Sequence, residues 1–106
     1  MKTPIESCLK ALFESVHPQL DFLLLKIECP FDSGISVECE GRNASGSVYP
    51  EPDLDALSNY IDELRTEHPS ERFNIITIRM TSPTDIVFDR IFDEAFQRES
   101  EEMVNE

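Results

Sequence analysis

Apolar residues near the start of the chain recur at the spacing of one helix face. Thr3, Pro4 and Glu6 open this segment as a capping box with proline at the first helical position. His17-Pro18 ends it, because proline disfavours the helical conformation of the residue before it. The pattern predicts a first helix whose buried stripe consists of Ile5, Cys8, Leu9, Leu12, Phe13 and Val16.

Strict alternation of apolar and polar residues then replaces the helical period. Asp21–Cys29 alternates in its second half, and Ile35–Glu40 alternates throughout with its acids on one side. Pro30–Gly34 between them is rich in turn residues, so the two segments are predicted to pair as a β-hairpin. Gly41–Gly46 is predicted to form a second turn, followed by a short strand at Ser47–Tyr49.

A second helix and a second hairpin are predicted in the remaining half. Asp53 has the character of an N-cap, and His68-Pro69 ends the helical pattern. The buried stripe of this helix is predicted to consist of Leu54, Leu57, Ile61 and Leu64, with Tyr60 beside them.

The closing segment reads as two strands and a helix. Phe73–Met80 is rich in β-branched residues, and a turn at Thr81–Thr84 lets a strand from Asp85 to about Arg90 return antiparallel. A third helix is predicted from about Asp93, with fraying from Glu99 onward.

This order predicts an α+β fold in a single domain covering residues 1–106. Consecutive strands joined by hairpin-length turns favour an antiparallel sheet of four to five strands, with two or three helices packed on one side. A chain of 106 residues with 40% hydrophobic residues is of the size and composition of one soluble domain.

The net charge of the chain narrows the range of partners that we expect it to bind. The chain has 22 acidic and nine basic residues, giving a formal net charge of −13. Such a field repels nucleic acid and anionic membranes and steers the protein toward cationic partners. No secretory signal is visible and the longest apolar run is far shorter than a bilayer span, so we expect a cytoplasmic protein.

The pattern of reactive residues favours neither an enzyme nor a metal or cofactor site. His17 and His68 have no companion ligand at helical spacing, and the acids between Asp85 and Glu94 lack the pattern of a calcium loop. No nucleophile motif or glycine-rich phosphate loop is present. The three cysteines occupy apolar positions and are predicted to be buried free thiols: Cys8, Cys29 and Cys39.

The acids gather in groups along the chain. Each group alone is what a solvated surface requires, but thirteen uncompensated charges repel one another and destabilise the compact state, which favours a role against a basic surface. Aromatic residues that could anchor such an interface are Phe31, Tyr49, Tyr60 and Phe92.

The last hairpin carries a resemblance to a known family. Phe73–Ile78, followed after a short turn by Asp85–Glu94, is similar to the closing hairpin of the YezG-like immunity family. That family belongs to the small immunity proteins of bacterial polymorphic-toxin and contact-dependent growth inhibition systems. The resemblance implies a cytoplasmic antidote that binds a cognate toxin stoichiometrically, often a nuclease with a basic cleft.

Two functional hypotheses follow. The first is an immunity protein that occludes a toxin with a basic surface. The alternative is an acidic adaptor or nucleic-acid mimic that binds a basic housekeeping protein. For the first hypothesis, the predicted partner-binding residues are Glu38, Glu40, Asp85, Asp89, Phe92, Asp93 and Glu94.

Overall fold

Eight elements follow one another along the chain. A computed structural model describes residues 5–30 and 34–104. The elements are α1 (Ile5–Glu14), β1 (Phe22–Glu28), β2 (Ser36–Asn43), β3 (Gly46–Val48), α2 (Leu54–Glu67), β4 (Ile75–Met80), β5 (Ile86–Ile91) and α3 (Glu94–Val104).

The five strands form one antiparallel sheet in the order β3-β2-β1-β4-β5. β1 lies at the centre, where Leu25 is opposite Cys39 of β2 on one side and Ile78 of β4 on the other. The predicted α+β class, with a five-stranded antiparallel sheet and three helices, is therefore confirmed.

One side of the sheet, the closed face, forms the core together with two helices. Leu9 and Phe13 of α1 and Leu57 and Ile61 of α2 belong to the same buried cluster as the central strands. These apolar stripes are buried because sheet and helix each bring one apolar surface. By register, the closed face consists of Leu23, Leu25, Ile27, Val37, Cys39, Gly41, Asn43, Gly46, Val48, Ile76, Ile78, Met80, Ile86, Phe88 and Arg90.

Gly41 is part of β2, so the predicted turn Gly41–Gly46 is present but begins too early in the prediction. β2 continues to Asn43, and only Ala44 and Ser45 form the turn. A Cβ atom at Gly41 would lie 2.9 Å from Cδ2 of Leu20, so this glycine permits a close approach on the closed face. Pairing with β1 and β3 thus outweighs the turn-like composition of the segment.

The helix predictions hold in part. The Asp53 N-cap is confirmed, because its Oδ1 atom accepts a hydrogen bond from the Ala56 N–H at 3.1 Å. Leu54 was predicted to be buried, which is wrong: it is 54% exposed. It stands at the first helical position, and Leu57 is the first residue of α2 to reach the buried core. The predicted capping residues Thr3 and Pro4 lie outside the described residues.

A buried amide ties the start of β4 to the connection between β5 and α3. Asn74 is fully buried; its side-chain Nδ2 donates to the Asp93 carbonyl and its Oδ1 accepts from the Asp93 N–H, both at 2.8 Å. The Asp93 carboxylate in turn accepts from the Phe96 N–H at 3.0 Å and caps α3. The helix continues to Val104, past Glu99 where fraying was predicted.

The cysteines differ in burial. Cys29 is buried as predicted, whereas Cys8 and Cys39 are half-buried, and all three are free thiols. Burial raises the pKa of Cys39 to about 11, because the thiolate is less well solvated there. Burial also raises the pKa of Cys29, and the nearby Arg65 opposes that shift.

Candidate protein-binding surface

The second side of the sheet, which we call the open face, leaves most of its side chains exposed or half-buried, and Ile75 is its buried exception. Its residues alternate with those of the closed face, and Lys26, Glu38, Arg79 and Asp89 among them are exposed. By register, the open face consists of Phe22, Leu24, Lys26, Glu28, Ser36, Glu38, Glu40, Arg42, Ser47, Ile75, Thr77, Arg79, Val87, Asp89 and Ile91.

This face carries more apolar surface than a solvated strand needs. Val87 and Ile91 on β5 are 51% and 56% exposed, and Tyr49, just after β3, is 72% exposed. Phe22 and Leu24, in the first half of the central strand β1, are half-buried. Exposed apolar groups that share one surface are typical of a binding site, whereas single ones are ordinary.

The run Phe22–Leu25 explains why both faces are apolar at β1. Leu23 and Leu25 point into the core, and alternation therefore sends Phe22 and Leu24 to the open face. A strand with one solvated face would place polar residues at those two positions. The apolar run is thus the sequence signal for this surface, and the sequence predictions did not include Phe22 or Leu24 among the binding residues.

Acidic and basic side chains alternate across the open face. Lys26 lies opposite Glu38, and Nη2 of Arg79 lies 3.5 Å from Oδ2 of Asp89. Four acids and three bases leave a single net negative charge. They are Glu28, Glu38, Glu40 and Asp89, with Lys26, Arg42 and Arg79.

The negative excess lies largely elsewhere in the molecule. The segment from Glu51 to Glu67, which includes α2, has only Arg65 as a base. Its apolar stripe packs on the closed face, so the other side of the helix points away from the sheet. The acids of this segment are Glu51, Asp53, Asp55, Asp62, Glu63 and Glu67.

Two shallow depressions lie next to each other on the open face. One, of about 350 Å³, is lined by Leu24, Lys26, Glu38, Cys39, Glu40 and Tyr49. The other, of about 340 Å³, is lined by Phe22, Arg79, Thr81, Asp85 and Val87. Leu24 of the first pairs with Arg79 of the second, so the two depressions lie on neighbouring strands.

The structure divides the predicted partner-binding residues into two groups. Glu38, Glu40 and Asp89 are on the open face, and Asp85 lies at its margin, accepting a hydrogen bond from Oγ1 of Thr81 at 2.9 Å. β2 and β5 are three strand spacings apart, or about 14 Å. Glu38 and Asp89 therefore lie at opposite sides of the same surface.

The remaining predicted residues lie where β5 passes into α3. The Phe92 ring lies 4.5 Å from the Arg72 guanidinium carbon, and the Asp93 carboxylate caps α3. Glu94 is exposed in the first turn of that helix. Phe92, Asp93 and Glu94 follow the end of β5 and do not belong to the open face.

The predicted aromatic anchors Tyr49 and Tyr60 lie on different faces of the sheet. Tyr49 is exposed beside Leu24, whereas Tyr60 packs against Phe88 at 5.7 Å between ring centroids on the closed face. Burial raises the pKa of the Tyr60 hydroxyl. Phe31 lies outside the described residues.

Across residues 5–30 and 34–104, no three His, Cys, Asp or Glu side chains are grouped so that they could hold a metal ion. Both histidines are exposed. In the same part of the chain, no helix combines the length and apolar character needed to cross a membrane. No protein-family model, curated protein or solved structure matches the chain.

Proposed function

We propose that this protein is an immunity protein that binds a cognate bacterial toxin stoichiometrically through its open face and occludes it. The observation that carries the proposal is a sheet whose second face exposes Tyr49 and Val87 on either side of the half-buried Leu24, with half-buried Phe22 on the same strand and Ile91 exposed further along β5. A lone folded domain gains nothing from keeping this surface in water. A partner that covers it removes the apolar area from solvent.

The composition of the open face suits a protein interface. Tyrosine and arginine are enriched at binding hot spots, and this surface offers Tyr49 and Arg79 next to apolar side chains. Each of the two shallow depressions gives a protruding partner side chain a place to insert. Glu38, Glu40 and Asp89 at the two sides of the face are placed to pair with cations of the partner.

The net charge of −13 acts over a longer range than these contacts. It attracts a basic toxin surface, such as the phosphate-binding cleft of a nuclease, and speeds encounter. Affinity then comes from the contacts at the open face, where charges of both signs select the correct partner. The resemblance of the last hairpin to the YezG-like immunity family points the same way.

Nucleic-acid mimicry by this face is the weaker alternative. A mimic of a phosphate backbone needs a regular array of negative charges with few cations among them. The open face instead places Lys26, Arg42 and Arg79 among its four acids. An acidic adaptor would differ from an immunity protein in its partner, which would be a basic housekeeping protein and not a toxin.

Co-expression with a toxic domain tests the proposal. An immunity gene is expected directly downstream of a large toxin gene, so the domain encoded at the end of that upstream gene is the partner to use. We expect this chain to restore growth of cells that produce the domain and to co-purify with it at fixed stoichiometry. Absence of rescue and of complex formation with that domain would remove the immunity function.

Matched variants locate the interface. Leu24→Glu places a charge in the centre of the apolar region, and Tyr49→Ala removes the most exposed ring. We expect each to weaken toxin binding about tenfold or more, measured by calorimetry. Asp62→Lys on the outer side of α2 is the control, since it changes net charge without touching the open face. An equal loss in the control would show that the losses are not specific to the open face.

A further inference from the structure

The two edges of the sheet end differently. β3 has only three residues, whereas β5 offers six and contains no proline. Natural proteins blunt edge strands by shortening them or by placing proline and charge there, because an unpaired edge accepts another strand. β3 fits that description. The edge at β5 keeps its full length, with Asp89 and Arg90 as its only charged residues.

The alternation of hydrogen bonds along β5 shows which of its backbone groups bond to β4 and which point away from the sheet. The Thr81 N–H donates to the Asp85 carbonyl at 3.3 Å, which makes 81 and 85 a hydrogen-bonded pair. Such pairs recur every second residue in an antiparallel ladder, so residues 87, 89 and 91 bond to β4. The N–H and C=O groups of Ile86, Phe88 and Arg90 therefore point outward, and within the described residues no other backbone group bonds them.

An added antiparallel strand would pair with those three residues and bring its other side chains opposite Val87, Asp89 and Ile91. These are non-hydrogen-bonded positions, where side chains on neighbouring strands approach most closely. All three side chains are on the open face and exposed. Asp89 is paired to Arg79 only at 3.5 Å in solvent, so its carboxylate can accept a second cationic donor.

We infer that the free edge of β5 accepts an extended segment of the partner, with a basic residue opposite Asp89 and apolar residues opposite Val87 and Ile91. This inference rests on the proposed function, since it names the contact that the toxin makes. The segment extends the sheet at the margin of the open face. The rest of the partner is thereby held close enough to cover that face. A negatively charged chain with an acid at the middle of its edge selects a basic strand.

A second copy of the chain is a poorer occupant of this edge. A two-fold axis at Asp89 places Val87 opposite Ile91 but also places the two Asp89 carboxylates opposite each other. Like charges at directly opposite positions are destabilising. A two-fold axis at Phe88 instead places the charged Asp89 opposite the apolar Val87, so neither side chain gains a favourable contact. Each copy also carries the full net charge of −13.

A strand peptide tests the inference without requiring the toxin. The probe is a blocked heptapeptide of threonines with valine, lysine and isoleucine at its second, fourth and sixth positions. Binding is followed by amide NMR shifts and hydrogen exchange of the full chain. We expect saturable shifts at millimolar peptide and slower exchange of the Ile86, Phe88 and Arg90 amides. N-methylation of the threonines at positions three and five of the peptide removes the two central ladder donors and should abolish both effects.

A charge exchange adds specificity to the test. Glutamate in place of the peptide lysine should weaken binding about tenfold, and Asp89→Lys should reverse that preference. Asp62→Lys, with the same change of net charge on α2, should leave the preference unchanged.

Lack of saturable binding, or equal binding of the N-methylated peptide, overturns the inference. If the peptide fails while Leu24→Glu still loses the toxin, the proposed function stands and the strand contact falls. Concentration-dependent protection of the same amides without peptide would assign the edge to contacts between copies, which also overturns the inference.

Discussion

The two faces of this sheet are built from the same strands yet have opposite roles. Leu23 and Leu25 on the closed face are fully buried against α1 and α2, whereas Leu24 between them faces outward. The closed face is largely apolar, with the buried Asn43 and the partly buried Arg90 as its polar side chains. The open face mixes apolar groups with charges of both signs. The first composition is that of a core, and the second supports the proposed role as a protein interface.

This contrast separates stability from binding. Residues that hold the fold together point to one side of each strand, and residues available to a partner point to the other. Neighbouring residues of one strand therefore form matched pairs, in which the same substitution should affect folding on one face and binding on the other. The excess negative charge around α2 contributes directly neither to the core nor to the open face. It acts through the long-range electrostatic field of the protein.

The largest effect is expected for adjacent leucines of β1. Leu25→Ala should lower the free energy of unfolding by about 3 kcal/mol, because it leaves a cavity in a fully buried cluster. Leu24→Ala should cost about 1 kcal/mol or less, since its side chain is half-exposed, and should instead weaken partner binding. Urea denaturation measures both. Equal losses would mean that the open face contributes to the core.

Two arginines at the β4–β5 edge provide a smaller contrast. Arg90 is partly buried, pairs with Glu71 at 3.0 Å and lies near the Phe73 ring. Arg90→Ala should lower the free energy of unfolding by about 1 kcal/mol through lost packing and charge pairing. Arg79→Ala on the open face should change it by less than about 0.5 kcal/mol, because its pair with Asp89 is solvated. The reverse order in denaturation experiments would contradict the assignment of faces.

The smallest expected effect concerns the chemical reactivity of the Cys39 thiol. Burial raises the pKa of Cys39 on the closed face from 9.0 to about 11, so its thiolate fraction at neutral pH is reduced. Since the folded state holds this proton more tightly, its contribution to stability is present below about pH 9 and is lost as the pH rises toward 11.

Alkylation by iodoacetamide, followed peptide by peptide with mass spectrometry, should be slow at Cys39. The control is Glu38→Cys, which places a thiol on the open face of the same strand, where it should react at the rate of an ordinary cysteine. Similar rates at the two positions would show that the closed face near β2 is open to water.

Local patterns predicted the elements well. The alternation in β1 and β2, the β-branched run in β4 and the Asp53 cap all depend on residues close together in sequence. Their consequences are therefore visible without the tertiary structure. The end of β2 was missed because Gly41 and Asn43 favour turns locally, while pairing with β1 and β3 decides their conformation.

The candidate surface was only partly predictable for a related reason. The acids Glu38, Glu40 and Asp89 were found from alternation, but their cationic neighbours come from other strands. Arg79 reaches Asp89 because β4 pairs with β5, and Lys26 faces Glu38 because of the β1–β2 register. Composition shows a large negative excess and does not reveal that this face is nearly balanced. That fact requires the strand order.

The central position of β1 has a consequence for synthesis on the ribosome. Its first neighbour, β2, follows closely, but its second neighbour, β4, lies beyond α2 in the chain. Until β4 emerges, the growing chain carries an apolar strand with one unsatisfied edge, a state that invites misassembly. Completion of the sheet depends on contacts between residues as distant as Leu23 and Met80, and such contacts form slowly. Nascent chains that pause before residue 75 should therefore recruit chaperones more strongly than completed ones.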